Sequence, residues 1–182
     1  NFLDVMYERY LQFYEYLLEN GIGPVYFIVG SEFAGPPVVS PSNFNDLCTR
    51  YVKGIVDKIR EYGMYSIIHY HGFLKNILGG MKEINPDALH TIEAPPVGNC
   101  TINQAREALG DMILIGNIQY DDLRSKTPDQ IEEMVKEILA EGKSGRFILS
   151  PTAGPYEKEL SPRIQENYLR FMKAGAKYGR LG

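Results

Sequence analysis

The sequence predicts an α/β fold built on a parallel sheet, with about five strands each followed by a helix. Three observations carry that prediction. Short apolar runs alternate with helical stripes at a repeat of roughly 25–40 residues, and strands separated by helices imply right-handed βαβ units. The runs are apolar on both faces, as expected of buried parallel strands. The polar or unusual residues fall just after each run: Ser31-Glu32, His69-Tyr70-His71-Gly72, Glu93, Asn117 and Ser150-Pro151-Thr152. Ligands of parallel α/β folds bind at the carboxyl ends of the strands, so these candidates converge on one edge of the sheet.

Each element has its own signal. Leu3, Met6, Tyr10, Phe13, Tyr14 and Leu17 repeat at helical spacing, and Asn20-Gly21 stops that helix. Val25–Val29 is a β-rich run. Ser40-Pro41 supplies an N-cap and a Pro at the first helical position. Phe44, Leu47, Cys48, Tyr51, Val52, Ile55, Val56 and Ile59 then form one stripe ending at Gly63. Ser66–His69 reads as the next strand, followed by a helix from about Leu74 to Ile84. Leu89–Ile92 is a strand, 103–109 a helix, and Met112–Ile115 a strand ending in Gly116-Asn117. Thr127-Pro128-Asp129-Gln130 is a capping box for a helix closed by Gly142. Phe147–Leu149 is the last strand and Pro162–Ala176 the last helix.

The bulk numbers bound the function. A chain of 182 residues is long enough for one domain with a real core. Its net charge is −4, and its basic residues form neither a run nor an amphipathic stripe, which argues against nucleic acid or an anionic membrane as partner. No apolar stretch is long enough to span a bilayer. No signal peptide is visible. Cys48 and Cys100 have no CxxC or zinc-ribbon spacing, so a reduced, cytoplasmic chain is expected. Cys48 lies on an apolar helix stripe and reads as core; no basic residue flanks Cys100. The chain opens without Met inside a helical pattern, which reads as a fragment or trimmed chain, while Gly179-Arg180-Leu181-Gly182 reads as a terminus.

The most informative motif is His69-Tyr70-His71, leading into Gly72. On a strand alternate side chains share a face, so the two imidazoles point the same way. Such a pair holds a metal, works as an acid–base couple, or only hydrogen-bonds the neighbouring backbone. With Glu32 or Glu93 as carboxylate it forms a His₂-carboxylate set suited to zinc or another divalent metal. Glu93, before Ala94-Pro95-Pro96, reads equally as a loop carboxylate, and Glu32 as a solvated loop residue. His90 reads as a structural histidine within a strand. Ser31, Glu32, Gly72, Asn117 and Tyr120 are placed to touch a substrate, although Gly116-Asn117 serves a turn equally well.

The order of several motifs resembles the uroporphyrinogen decarboxylase family, which includes corrinoid-dependent methyltransferases. They are Gly30-Ser31-Glu32-Phe33-Ala34-Gly35 with Ser40-Pro41 and Phe44, Ile68-His69-Tyr70-His71-Gly72, and Leu109-Gly110-Asp111 with Gly116-Asn117-Ile118. Thr127-Pro128-Asp129-Gln130-Ile131, then Phe147-Ile148-Leu149-Ser150-Pro151, then Ser161-Pro162 with Glu166-Asn167 complete the series. The resemblance implies a (β/α)₈ barrel. Residues 1–182 would then be a single domain, the C-terminal part of such a barrel, with about the first three strands missing. A partial barrel has two unpaired sheet edges, which implies a homodimer through those edges or the rest of the barrel on another polypeptide.

The resemblance also bears on the site. Members that pass a methyl group to a thiol carry His-x-Cys-Gly where this chain has His69-Tyr70-His71-Gly72, and a second Cys near the last strand; the three residues hold a zinc that lowers the thiol pKa. Here His71 replaces the first Cys and the second falls at or near Ala153, so the thiolate set is absent. Uroporphyrinogen decarboxylases carry Asp-Ser-x-Ala-Gly where this chain has Ser31-Glu32-Phe33-Ala34-Gly35, and a His-Gly where it has Ala153-Gly154. The leading expectation is therefore an enzyme that moves a methyl group between a small O- or N-methylated substrate and a corrinoid (cobalamin) on a partner protein. In it a metal on His69, His71 and Glu93 or Glu32 polarises the donor or acceptor heteroatom. The alternatives are a tetrapyrrole (uroporphyrinogen) decarboxylase and a barrel that binds a corrinoid or porphyrin without chemistry. The isolated chain is expected to be inactive under all three.

Overall fold

In a computed structural model of the chain, which describes residues 1–179, helices and strands alternate as the apolar runs predict. The terminus expected at Gly179–Gly182 lies, beyond Gly179, outside the described residues. Helix α1 (Phe2–Glu19) starts on a capping box formed by Asn1 and Asp4. It leads to strand β1 (Val25–Ile28) and a 3₁₀ turn (Ser31–Ala34). Ser40 caps α2 (Pro41–Phe44), accepting a hydrogen bond from the Asn43 N–H. A π turn (Asn45–Thr49) joins α2 to α3 (Arg50–Glu61), so the single predicted stripe is one helical run with a bulge in it.

Strand β2 (Tyr65–His69) precedes a 3₁₀ turn (Leu74–Ile77) and α4 (Leu78–Ile84). Strand β3 (Ala88–His90) is followed by α5 (Ile102–Leu109), whose capping box pairs Thr101 with Gln104. Strand β4 (Ile113–Ile118) leads to α6 (Tyr120–Ser125) and α7 (Pro128–Gly142). Strand β5 (Phe147–Pro151) and α8 (Pro162–Tyr178) end the described chain. Two boundaries differ from the sequence reading. Strand β4 runs on through Gly116-Asn117, which the sequence suggested as a turn, because both residues pair with Leu149 and Ser150 of β5. Strand β3 stops at His90 instead of Ile92.

The strands form one sheet in the order β1-β2-β3-β4-β5, all parallel. This sequential order decides the architecture. A doubly wound sheet reverses direction and puts helices on both faces; with no reversal, right-handed connections put every helix on the same face, as in a (β/α) barrel. The burial pattern agrees. Tyr26, Ile28, Ile68, Leu89 and Leu114 face the helices in one core with Phe44, Val56, Ile59 and Met81. The other face is apolar but bare: Phe27 is 51% exposed, Tyr65 59% and Ile148 50%. The strands are thus apolar on both sides, as predicted, but only one side is covered here. The outer edges of β1 and β5 pair with nothing among the described residues. A smaller cluster of Ile118, Leu123, Ile131, Val135 and Phe171 packs α6, α7 and α8 together. Buried Asn167 ties it down, its Nδ2 donating to the carbonyls of Leu123 (2.9 Å) and Lys126 (2.8 Å). No helix among the described residues is long and apolar enough to cross a membrane.

Candidate active site at the carboxyl edge of the sheet

The site grows out of the alternation at the end of β2. Tyr70 points to the helix side, where it is buried and its hydroxyl donates to the Pro36 carbonyl at 2.6 Å. Its neighbours His69 and His71 therefore emerge on the bare side, with ring centroids 4.5 Å apart and nearly perpendicular. Backbone pairing with β3 continues one step past the strands: the Tyr70 N–H donates to the His90 carbonyl at 2.6 Å and the Thr91 N–H to the Tyr70 carbonyl at 3.3 Å. That pairing sets the register of the next carboxylate.

Glu93 is 5% exposed and both of its oxygens are taken. Its Oε1 lies 2.9 Å from His71 Nδ1 and its Oε2 accepts from the Gly72 N–H at 2.9 Å. Gly72 makes this possible. Its φ is +114°, and a Cβ there would stand 2.6 Å from the Pro36 carbonyl oxygen, so only Gly brings this N–H to the carboxylate. The peptides His90-Thr91 and Gly116-Asn117, at the ends of β3 and β4, are cis.

His90 corrects the sequence reading. It is satisfied, as a structural histidine should be, but by the site itself: its Nδ1 lies 2.7 Å from His69 Nδ1 and its Nε2 3.0 Å from the Pro151 carbonyl. The His69 and His90 rings stack at 4.9 Å. Both residues are strand partners in register, which no local motif reveals. All three histidines thus line one cleft of about 570 Å³, together with Phe27, Pro151 and Ala153.

The electrostatics divide the three. The hydrogen bond to Glu93 raises the His71 pKa against the opposing effect of burial. Burial alone would push Glu93 up, but the bonds from His71 and Gly72 outweigh it and hold the carboxyl below its ordinary value. Each of the two groups therefore favours the charged form of the other. His69 goes the other way: burial first, then the neighbouring histidines, bring it down to about 4. Burial also lowers His90, opposed by its bond to Pro151.

These shifts have a signed consequence for stability. The lowered imidazoles refuse protons that the unfolded chain takes up below about pH 6.5, so their contribution is complete above that pH and declines as pH falls, for His69 down to about 4. Glu93 adds to the decline as pH drops through its own lowered pKa. The His71 contribution is present below its unfolded pKa and is lost only as pH rises through its raised folded value. Below about pH 6, where the His71 contribution is complete, the urea midpoint of unfolding should fall towards pH 4, and less steeply in His69→Asn. A midpoint that rises between about pH 6 and pH 4 would contradict the assignment.

The other sequence candidates fall outside this cleft. Ser31 is buried and lines, with Cys48 and Tyr14, a separate apolar groove under α1. Glu32 turns back to accept from the Gly30 N–H at 3.1 Å. Asn117 is buried within β4. Tyr120 is also buried; its hydroxyl bonds Glu157 and its ring packs 5.2 Å from Tyr156, in a polar group that includes Arg124. Cys48 and Cys100 are buried, and burial pushes both thiols up to about 11, so neither supplies a thiolate near neutral pH.

Among the described residues no three His, Cys, Asp or Glu side chains are arranged to hold a metal. Glu93 is held by His71 and the Gly72 N–H, Glu32 accepts from the Gly30 N–H, and His69 and His90 meet at their Nδ1 atoms. We derive no step through a metal.

Against known proteins, the family model described as uroporphyrinogen decarboxylase (URO-D) matches residues 1–173. No curated protein matches the chain. Among solved structures, a methyltransferase from Methanosarcina mazei is similar, with a TM-score of 0.76 at 21% identity over 97% of this chain and 48% of that one. The chain thus spans about half the length of that structure, and the likeness shows a shared fold. With the family model matched over nearly its whole length, this chain belongs to the uroporphyrinogen decarboxylase family.

Proposed function

We propose that this chain carries the catalytic edge of a methyltransferase barrel that moves a methyl group between a small O- or N-methylated substrate and a corrinoid on a partner protein. The observation that carries the reading is His71 facing the cleft with the buried Glu93 behind it, where no thiolate is available. The corrinoid, when its carrier docks, supplies the centre that takes or gives the methyl group. The chain's own residues handle the heteroatom. His71, kept protonated by Glu93, donates a proton to the oxygen or nitrogen as its bond to the methyl carbon breaks, so the leaving group departs neutral. In the reverse direction it takes that proton back. Phe27 and Pro151 give the methyl-bearing group an apolar wall.

The test uses the native polypeptide that contains these residues, with a corrinoid carrier protein and a panel of O- and N-methylated compounds. Methyl transfer that survives chelators and is lost in His71→Gln supports the reading. Activity removed by chelation and restored by zinc would replace the acid with a metal. Turnover of uroporphyrinogen without methyl transfer would replace it with decarboxylation.

A further inference from the structure

Between β5 and α8 the chain runs from Thr152 to Leu160 without helix or strand. The first part of this segment is a wall of the cleft, formed by Thr152, Ala153, Gly154 and Pro155. The segment is pinned at two places. At its start the Thr152 N–H donates to the Ile118 carbonyl at 2.8 Å, and the Thr152 hydroxyl donates to Gln119 Oε1 at 3.0 Å. Further on, Tyr156 and Glu157 fold onto α6. Glu157 accepts from the Tyr120 hydroxyl and lies 3.4 Å from Arg124 Nε. Arg124 Nη1 donates to the Tyr156 hydroxyl at 3.2 Å, and the Tyr156 and Tyr120 rings pack 5.2 Å apart. Between the pins, Ala153, Gly154 and Pro155 make no hydrogen bond among the described residues, and a Cβ added at Gly154 would meet nothing within 4 Å. The wall is therefore held by its ends. The second end has a firm post: buried Asn167 ties α6 to α8 through the carbonyls of Leu123 and Lys126. Tyr120 is itself buried, and a buried hydroxyl left without a partner is costly, so its bond to the Glu157 carboxylate is specific.

We propose that Glu157 is a positioning residue: gripped by Tyr120 and Arg124, it clamps the β5–α8 segment onto α6 and so sets the width of the cleft at the Ala153–Pro155 wall. The inference rests on the cleft being the active site, as the proposed function takes it to be. Glu157 does not line the cleft, so its effect reaches a ligand through the wall. Ala153 and Gly154 have almost no side chain to extend, so the position of their backbone decides how closely the wall approaches the ligand. Tyr120, which the sequence placed as a ligand contact, serves the same cleft at one remove.

The Ala153 methyl reports the wall directly in the native polypeptide labelled with ¹³C-methyl alanine, its resonance assigned by its absence in Ala153→Ser. The expected result is one resonance in the wild type, shifted or broadened in Glu157→Ala and shifted the same way in Tyr120→Phe. Glu157→Gln should return it to the wild-type position, because its amide oxygen still accepts from the Tyr120 hydroxyl. In methyl transfer, KM for the methyl donor should rise about tenfold in Glu157→Ala, the fold-change of one hydrogen bond to a charged group. The value of kcat should hold, as for a residue that never touches the reacting atoms. An Ala153 resonance unchanged in Glu157→Ala overturns the proposal, as does an unchanged KM. A fall in kcat at constant KM also overturns it and puts Glu157 in the chemistry. If Glu157→Ala fails to fold, Tyr120→Phe decides, since it keeps the ring and removes only the hydroxyl. If the wild type transfers no methyl group, the proposed function fails and the Ala153 resonance still decides the clamp.

Discussion

Glu93→Gln should lower methyl transfer by about 10²–10⁴-fold, the span that a positioned general acid contributes. Two losses combine. The carboxylate charge that keeps His71 protonated disappears, so the His71 pKa falls and the pH–rate limb it governs moves to lower pH. The hydrogen bonds also cease to match. Glu93 accepts at both oxygens, from His71 Nδ1–H and from the Gly72 N–H, whereas an amide has one oxygen and one donor. Both bonds can be kept only if the amide oxygen accepts from Gly72 and the amide N–H donates to a neutral His71 Nδ1, which removes the proton the mechanism needs. The pH profile separates this from a simple loss of fold: a folded variant with an unshifted limb and an unchanged rate would remove the pair from the mechanism. His71→Gln should show the rate loss and no limb.

Gly72→Ala should cost at least about 2 kcal/mol of stability, since a residue held in a rare backbone conformation costs about 1–3 kcal/mol before any clash is counted. Here the clash is with backbone. The added methyl would stand 2.6 Å from the Pro36 oxygen and 3.0 Å from Pro37 Cδ, at a φ of +114°. Relief requires moving the loop, and the loop carries the N–H that Glu93 Oε2 accepts. Gly63→Ala is the control, with a similarly positive φ of +70° but open space around the added methyl; it should cost only about 1 kcal/mol. Urea unfolding of both variants measures the difference. Equal midpoints would mean that the Pro36 contact yields freely and that Gly72 is a turn residue alone.

The strands were legible in the sequence because each is a short apolar run closed by a polar residue, and the helices because capping boxes such as Thr127/Gln130 and stripes such as Val56/Ile59 are local patterns. What failed was what depends on distance along the chain. Gly116-Asn117 has the composition of a turn, but pairing with Leu149 and Ser150 keeps it in the sheet. Helix α6 is too short to show a period. Tyr120 follows a strand as a ligand contact should, yet it turns away to Glu157, 37 residues later. His90 looked structural because its partner is on the neighbouring strand. Glu93 was visible as a candidate, but its attachment to the Gly72 N–H was not, since a backbone donor leaves no mark in a sequence.

The hydrogen bonds that build the site have a short reach along the chain. His69–His90 and Gly72–Glu93 join positions 21 apart, and His71–Glu93 positions 22 apart. All lie within the single unit from Tyr65 to Glu93. The entropy of closing a loop grows only with the logarithm of its length, so these three bonds carry nearly the same closure cost. The acid pair is therefore a product of one crossover, built from β2, β3 and the loops that follow them. The far wall of the cleft comes from elsewhere: Pro151, bonded to His90, is 61 residues away in the chain. One crossover thus carries the charged groups, and a distant strand gives the cleft its wall.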